Sequence, residues 1–293
     1  MDEETRTATR EKLLATTYSL ATPIGTTTSR LSSLLPGGGG EPEPPRERGV
    51  AEDGAVPADG AEPPAADRPS RVAHEPGHRE RLQQPPDELG HLPGRHPPAA
   101  LLPDGPHQAL NYGSIGVVIG HEIMHGFDDM GRLNDKYGNL AQWWSEATIQ
   151  TYLQKAQCFV DQYNSYRVPE LDDVLHTKAT MNGVTTQGEN IADNGGLRQA
   201  FLAYKAYVSI HGQEPRLPGL EQYSPEQLFF IAFATTWCES NTKESLLQEI
   251  LSDPHSPHRL RVIGTLSNSE EFAKVFSCPP NSPMNPTKKC SIM

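Results

Sequence analysis

The sequence predicts a mainly α-helical domain over residues 109–293, preceded by a long segment that is poorly suited to forming a core. All three Trp, all eight Phe and all four Cys lie after Leu110, whereas Pro, Gly, Ala, Arg and Glu dominate before it. In the later part, apolar residues recur at the three- and four-residue spacing of amphipathic helices. Ser and Pro stand where several of these helices should begin.

Residues 1–18 contain Glu, Arg, Lys and Ala without a helix breaker, which predicts a short, solvent-exposed helix. Residues 19–108 show neither helical nor strand periodicity and include G-G-G-G and E-P-E-P-P. Such a composition cannot bury enough apolar surface to offset chain entropy, so we expect disorder. The alternative is a coding sequence read in the wrong frame, which would also explain the joint absence of Asn, Phe and Cys.

Charge and hydropathy exclude several classes of function. The formal net charge of −12 and the lack of a basic patch argue against nucleic-acid binding. The sequence has no apolar run of about 18 residues, so no membrane span is predicted. The N-terminus, M-D-E-E-T-R, is too acidic and polar for a signal peptide. Taken alone, the sequence predicts a chain that stays in the cytosol.

The segment 117–129, V-V-I-G-H-E-I-M-H-G-F-D-D, places two histidines four residues apart in an apolar, helical run. His121 and His125 therefore share one helix face, with Glu122 between them. Two neutral imidazoles can bind one Zn²⁺ at about 2.0–2.1 Å each, while the carboxylate reaches the water-bearing position. The alternative is a helix that carries two histidines without a metal.

A catalytic zinc ion takes three protein ligands, so a third must come from elsewhere in the chain. Glu189, Asp193, Asp128 and Asp129 are the candidates. Glu189 is favoured because Asp193, one helical turn later, can then hydrogen-bond the second nitrogen of a ligating histidine. Such a contact fixes the tautomer of the histidine and raises its basicity.

Further elements follow from local signals. Ser145 is the predicted N-cap of a helix that runs to Gln162. Residues 224–227, S-P-E-Q, should begin an apolar, deeply buried helix that ends at Cys238. Residues 270–276 should form a final helix.

Three short segments carry more specific expectations. Gly195 and Gly196 each cost about 1 kcal/mol in a helix, which indicates close packing against another backbone. The run R-L-R-V-I-G-T-L at 259–266 is predicted to be a strand. Pro254 and Pro257 should hold His255 in an extended or turn conformation.

Six segments occur in order over about 185 residues: A-L-N-Y-G-S-I-G-V-V-I-G-H-E-I-M-H-G-F-D-D at 109–129, G-E-N-I-A-D-N-G-G at 188–196, P-G-L at 218–220, D-P-H-S-P at 253–257, R-V-I-G-T-L at 261–266 and M-N-P-x-K-K-C at 284–290. In these segments, which match collinearly, the sequence resembles the neprilysin-like zinc metallopeptidases, a family that includes the endothelin-converting enzymes. The resemblance implies a thermolysin-like zincin fold, of which residues 109–293 would be the C-terminal part of the catalytic domain.

The resemblance also implies roles for individual residues. His121, His125 and Glu189 would bind one Zn²⁺ per chain. Glu122 would be the general base that takes a proton from a zinc-bound water and passes it to the leaving amine.

Four further residues would support these groups. Asp193 would orient His121, and Asp128 would do the same for the second motif histidine. His255 would donate a hydrogen bond to the oxyanion, with Arg261 close to it. The pocket for a hydrophobic side chain just after the scissile bond would be lined by Val117, Val118 and Trp237.

Two departures from the family pattern affect these expectations. The family has an N-A-x-Y motif upstream that binds the substrate backbone, but this sequence contains no Asn before Asn111. Counting alone allows three pairings of the four cysteines. The family pattern implies a Cys158–Cys290 disulfide and places the partners of Cys238 and Cys278 upstream, outside the matching part.

The implied function is a zinc-dependent endopeptidase that hydrolyses short peptides on the amino side of hydrophobic residues. The first alternative is a truncated, catalytically impaired fragment that keeps zinc or peptide binding. The second is a gene-model artefact without an independent role. The family also implies an extracellular-facing protein of the plasma membrane or a secreted one, in contrast to the cytosolic expectation from the sequence alone.

Overall fold

The computed structural model describes residues 1–22, 25–30 and 107–292. These ranges contain ten α-helices, and the predicted mainly α-helical fold is confirmed. The helices are α1 Glu3–Ala15, α2 Gln108–Gly113, α3 Ile115–His125, α4 Glu146–Asn164, α5 Asp172–Leu175, α6 Gln187–His211, α7 Pro225–Thr236, α8 Lys243–Ser252, α9 His258–Asn268 and α10 Glu270–Val275. None of the helices in these ranges is both long and apolar enough to cross a membrane.

The chain divides into two compact units, residues 1–18 with 96–293, and residues 19–95. The described residues of the second unit lie in two paired strands, β1 Thr17–Thr22 and β2 Gly25–Arg30. Both strands are rich in Thr, a β-branched residue that favours extended backbone. Residues 31–106 of the segment predicted to be disordered lie outside the described residues.

Asp2 caps the N-terminus of helix α1, and its carboxylate accepts a hydrogen bond from the Thr5 amide. The prediction that this helix is solvent-exposed is wrong for one of its faces, because Thr5 and Lys12 are buried. The Lys12 ammonium donates to three carbonyl oxygens in the turn after α3, those of Gly126, Gly131 and Asn134. These carbonyls need donors because the helix that precedes them has ended, which the sequence of α1 cannot reveal.

Helices α3 and α6 cross at a pair of glycines. A methyl group added at Gly120 would lie 2.8 Å from the carbonyl oxygen of Gly196, and one added at Gly196 would lie 2.5 Å from the His121 amide nitrogen. The predicted close packing of Gly196 against another backbone is therefore confirmed. Gly195 instead faces the side chain of Met124. The crossing brings the N-terminal half of α6 alongside the histidines of α3.

The main core lies between α6 and α7 and is largely aromatic. Phe201 of α6 packs against Phe229 and Phe230 of α7, with both pairs of ring centroids 5.1 Å apart. Helix α7 begins at the predicted residue, Ser224, with a reciprocal capping box. The prediction of deep burial is wrong at its C-terminal end, because the helix stops at Thr236 and the following turn is exposed at Cys238.

Helix α4 begins after the predicted N-cap, Ser145, whose hydroxyl accepts a hydrogen bond from the amide three residues later. Its buried face includes Tyr152 and Phe159. Cys158 on this helix forms a disulfide with Cys290, which is the pairing that the resemblance implies. The bond fastens the last residues of the chain to α4.

The predicted strand at 259–266 is wrong, because these residues belong to helix α9. Val262 and Ile263 are β-branched, which favoured the strand interpretation. The buried positions nevertheless recur with helical spacing: Leu260, Arg261, Gly264 and Thr265. This face packs against α6, and Gly264 allows the Tyr163 hydroxyl to approach closely. Tertiary packing therefore decides the conformation of this segment.

Candidate metal centre

Helix α3 holds the two motif histidines on one face, one turn apart. The Nε2 atoms of His121 and His125 are 2.9 Å apart, and the two rings meet edge to face. His121 is buried, whereas His125 is partly exposed. Both imidazoles therefore direct their outer nitrogens towards a common point, in agreement with their four-residue spacing.

Glu189, in the first turn of α6, brings a carboxylate oxygen to the same point. Its Oε2 lies 3.2 Å from the Nε2 atoms of both His121 and His125. The Nε2 atom of His255, from the loop before α9, lies 3.1 Å from the same oxygen. Glu189 Oε2 is buried, and among the described residues it has no partner with hydrogen-bond geometry. This orphaned oxygen indicates that the cluster is built for a group other than its own side chains.

Each of the three imidazoles faces a second carboxylate with its inner nitrogen. His121 Nδ1 lies 2.8 Å from Asp193, His125 Nδ1 lies 2.7 Å from Asp128, and His255 Nδ1 lies 2.7 Å from Asp253. A carboxylate at Nδ1 assigns the ring proton to that nitrogen. A ring in its neutral form therefore presents an Nε2 lone pair towards the carboxylate oxygen of α6. Such histidine–carboxylate pairs also support histidines that bind a metal.

The donor set fits a zinc ion. Several lone pairs within about 3 Å of one another repel unless a cation or a proton lies between them. Zinc–ligand bonds of about 2.0–2.1 Å at tetrahedral angles place neighbouring ligand atoms about 3.3 Å apart. The observed separations of 2.9–3.2 Å among the His121, His125 and Glu189 ligand atoms are close to this value. Imidazole and carboxylate are also the donors that zinc accepts in catalytic sites.

The protonation behaviour of the cluster supports the same conclusion. Burial alone would lower the pKa of His125, but Asp128 and Glu189 together raise it to about 10. Burial would raise the pKa of the Glu189 carboxyl, yet the three facing imidazoles hold it well below its ordinary value. Without a metal, the cluster therefore retains a proton at neutral pH. Zinc binding would displace this proton, because both occupy the same lone pairs.

Arg261 of α9 lies behind the centre, in contact with Asp193. Its guanidinium donates two hydrogen bonds to that carboxylate, at 2.8 and 2.7 Å, and stacks on the Trp237 ring at 3.7 Å from the ring centroid. Burial would raise the pKa of Asp193, but Arg261 and His121 hold it below its ordinary range. Arg261 thus keeps the partner of His121 ionised, and its predicted place beside an oxyanion stays a prediction.

The remaining predicted residues divide between surface and core. Glu122 is exposed on α3, directly after His121. Val118 and Trp237 are partly buried, so they can still offer apolar surface to a ligand. Val117 is only 2% exposed and belongs to the α6–α7 core, which contradicts its predicted place in a pocket wall.

Asp253, the carboxylate that holds His255, was not predicted from the sequence. The sequence does contain a signal for this contact, because the aspartate side chain in D-P-H can turn back onto the histidine two residues later. Asp253 Oδ1 also accepts a hydrogen bond from the His255 backbone amide at 2.8 Å. Asp129, considered as a ligand from the sequence, instead lies beside Gly188, at the first turn of α6.

Comparison with known proteins is consistent with this centre. The family model described as peptidase family M13 matches residues 100–292. The chain is 51% identical to neprilysin-11 of Caenorhabditis elegans over 185 residues, which cover 63% of this chain and 21% of that protein. It is 49% identical to endothelin-converting enzyme 1 of Homo sapiens over 185 residues, which cover 63% of this chain and 23% of that protein.

Solved structures give the same relationship. The zinc metalloprotease Zmp1 of Mycobacterium tuberculosis, in complex with an inhibitor, has a TM-score of 0.59 and 32% sequence identity, over 66% of this chain and 29% of that chain. The chain spans 21–25% of the length of the curated relatives named neprilysin or endothelin-converting enzyme. Since the family model matches more than half of the sequence, including the whole candidate centre, this chain belongs to peptidase family M13.

Proposed function

We propose that this chain is a zinc-dependent endopeptidase that hydrolyses short peptides on the amino side of hydrophobic residues. One observation carries the proposal: two Nε2 atoms and a carboxylate oxygen converge beside an exposed glutamate on the same helix. One Zn²⁺ per chain would be held by His121, His125 and Glu189. Membership of peptidase family M13 supports peptides as the substrate class.

Zinc, when bound, supplies a Lewis acid that polarises the peptide carbonyl and lowers the pKa of water towards ~7. Glu122 takes a proton from a water molecule beside the metal centre and passes it to the leaving amine, a role that contributes about 10²–10⁴-fold to rate. Its carboxylate is exposed, so both water and a peptide can reach it.

The residues behind the ligands hold them in the required orientation. Asp193 and Asp128 accept the Nδ1 protons of His121 and His125, which keeps both Nε2 lone pairs available for a metal. Arg261 acts on Asp193 rather than on the peptide and is therefore a positioning residue. Since the Asp193 carboxylate is buried, loss of the arginine would remove its cationic partner and leave His121 as its remaining contact at the centre.

His255 is the candidate donor to the oxyanion that forms on the peptide carbonyl. Loss of one such donor typically lowers the rate by about 10²–10³-fold. Val118 and Trp237 supply the apolar surface for the residue after the scissile bond. This apolar surface supports the proposed preference for hydrophobic side chains.

The disulfide bears on the cellular compartment in which the protein functions. Cys158–Cys290 would persist in an oxidising compartment and would be reduced in the cytosol. The disulfide thus supports the proposal that the protein faces outward at the plasma membrane or is secreted, in contrast to the cytosolic expectation drawn from charge and hydropathy.

The proposal is tested with the purified full chain and its Glu122→Gln variant. Zinc content is measured by inductively coupled plasma mass spectrometry, and cleavage is measured on a short fluorogenic peptide with a hydrophobic residue after the scissile bond. We expect one zinc per chain in both proteins and a loss of about 10²–10⁴-fold in kcat only in the variant. Glu244→Gln, an exposed glutamate on α8, is the matched control.

A second candidate function is zinc or peptide binding without catalysis. The observation that favours it is that the matched region spans only 21–25% of the length of these curated relatives. One zinc per chain with no cleavage by the wild type would support this candidate. Equal cleavage by the wild type and Glu122→Gln would exclude Glu122 as the base. Absence of zinc would refute both the zinc endopeptidase and zinc binding without catalysis.

A further inference from the structure

The loop before α9 meets helix α6 at two neighbouring pairs of residues. His255 Nε2 lies 3.1 Å from Glu189 Oε2, and the Ser256 hydroxyl donates to Asn190 Oδ1 at 2.8 Å. Glu189 and Asn190 are adjacent in α6, as His255 and Ser256 are in the loop. We propose that Asn190 and Ser256 are positioning residues, which align His255 with the metal centre. This inference rests on the proposed peptidase function and deepens it, because it assigns the contact that orients the candidate donor to the oxyanion.

The hydrogen bond between Ser256 and Asn190 belongs to a chain of hydrogen bonds that runs in one direction. The Thr186 hydroxyl donates its proton to the Asn182 carbonyl at 3.1 Å, so it accepts from Asn190 Nδ2 at 2.8 Å. Asn190 Oδ1 therefore faces Ser256, whose hydroxyl donates to it. Asn190 and Ser256 are both fully buried, so water cannot replace a lost partner. The Asn190 amide thus holds Ser256 in one orientation.

Asp253 fixes the His255 ring relative to its own loop, but not relative to α6. Its carboxylate lies 2.7 Å from His255 Nδ1 and also accepts a hydrogen bond from the His255 backbone amide. Helix α8, which precedes this loop and is described over its whole length, contains no buried residue, so it anchors the loop weakly. The contact between Asn190 and Ser256 joins the loop directly to the helix that carries Glu189. It therefore sets the position of the His255 backbone beside the centre.

This contact is independent of the metal-binding atoms. Glu189 Oε2, which faces His255, is a proposed zinc ligand, so a bound ion would compete with His255 for that oxygen. The Ser256 hydroxyl and the Asn190 amide face each other instead, and metal binding leaves them paired. The His255 side chain is 19% exposed, so a ligand can reach it while the neighbouring serine stays buried. Its alignment matters because a misplacement of about 1 Å can lower a rate by about 10²-fold.

The first test measures peptide cleavage by the full, zinc-loaded chain in the wild type, Ser256→Ala, His255→Gln and the double variant. We expect Ser256→Ala to lower kcat by about 10- to 100-fold with KM and zinc content unchanged, because a misplaced donor weakens only the transition state. In the His255→Gln background the same change should have little further effect, since Ser256 acts through His255. Ser252→Ala, which removes an exposed hydroxyl at the end of α8, is the matched control.

Ser256→Cys keeps a side chain of similar size with a weak donor. It should therefore lose less activity than Ser256→Ala, in the same direction. Circular dichroism establishes that each variant is folded, and Ser256→Cys replaces Ser256→Ala throughout if the alanine variant does not fold.

The second test does not require catalysis. Diethyl pyrocarbonate acylates histidine rings, and peptide mapping by mass spectrometry gives the rate at His255, with the exposed His211 as internal reference. We expect His255 to react at least about threefold faster in Ser256→Ala than in the wild type, because the loop opens more often. An equal rate in both proteins, or an equal fall in kcat with and without His255, would overturn this inference and leave the zinc function intact. Faster modification in the variant with no cleavage by the wild type would support the positioning of His255 and refute the proposed peptidase.

Discussion

Gly120 and Gly196 place the backbones of α3 and α6 in direct contact beside the metal centre. The distance between His121 and Glu189 therefore depends on the absence of two methyl groups. We expect Gly196→Ala to push the helices apart and to lower the free energy of unfolding by about 1–3 kcal/mol. Zinc affinity should fall by at least about tenfold, because the ligands separate. Urea denaturation and competitive zinc titration measure the two effects.

Gly116 on α3 provides the matched control for this substitution. A methyl group there would lie 3.4 Å from its nearest neighbour, which is an ordinary contact. Gly116→Ala should leave zinc binding unchanged and raise stability by up to about 1 kcal/mol, because Ala favours helix over Gly. Wild-type zinc affinity in Gly196→Ala would show that the crossing does not determine the ligand geometry.

The side chain of Lys12 joins α1 to the turn that follows α3. Its ammonium donates to three carbonyls and lies 5.1 Å from the centroid of the Trp143 ring, and burial lowers its pKa to about 8. Lys12→Met would leave those carbonyls without donors and lower the free energy of unfolding by about 1–3 kcal/mol. Denaturant titration measures the loss.

The same turn contains Asp128, so zinc affinity should also fall in Lys12→Met. Arg10→Met, an exposed change on the same helix, should affect neither quantity. Equal stability and equal zinc affinity in the two variants would show that Lys12 of α1 does not support the metal centre.

The Cys158–Cys290 disulfide joins residues that are 132 apart in sequence. Its removal in Cys158→Ser should lower the free energy of unfolding by roughly 2–5 kcal/mol, because the unfolded chain gains freedom. Guanidinium denaturation measures the change, and mass spectrometry of unreduced peptides identifies the bond. Cys238→Ser, at an exposed thiol, should leave stability unchanged. A bond from Cys158 to Cys238 or to Cys278 in the wild type would contradict the pairing.

The raised pKa of Glu249 in α8 predicts that the stability of the fold depends on pH. Burial, then the nearby carboxylates of Glu239 and Asp253, raise its pKa to about 7 against the opposing charges of His255 and Arg261. The folded state therefore binds more protons than the unfolded state above pH 4.5, the ordinary value. The stability that this proton confers is complete below pH 4.5 and is lost as the pH rises through about 7.

Glu249→Gln should accordingly raise the melting temperature at pH 8, where the wild-type carboxylate is ionised. At pH 5 the wild-type group is protonated in the fold, so the difference should be much smaller. Differential scanning calorimetry at both pH values measures this contrast, with the exposed Glu244→Gln as control. An equal difference at the two pH values would show that the carboxylate is not responsible.

The parts of the centre that the sequence could predict depend on local periodicity. His121 and His125 are four residues apart, as are Glu189 and Asp193, and a helix places such pairs on one face without any knowledge of the fold. The N-caps Ser145 and Ser224 were predictable for the same reason, because capping involves only the next three residues.

The parts that the sequence could not predict depend on contacts between distant segments. Lys12 is buried because carbonyls more than a hundred residues later need donors. Helix α9 forms despite Val262 and Ile263, because its buried face packs on α6. Val117 lies in the core rather than in a pocket wall because the aromatic cluster of α7 covers it. None of these contacts leaves a signal in a short window of sequence.

Helix α6 has 25 residues, which corresponds to a length of about 37 Å. Its first turn contains Glu189, and its later turns supply Phe201 and Tyr204 to the aromatic core. A metal bound at the first turn and the rings packed against the later turns therefore stabilise the same helix. Unfolding of the core and release of the metal are linked equilibria, and the thermal stability of the whole domain should rise with the concentration of free zinc.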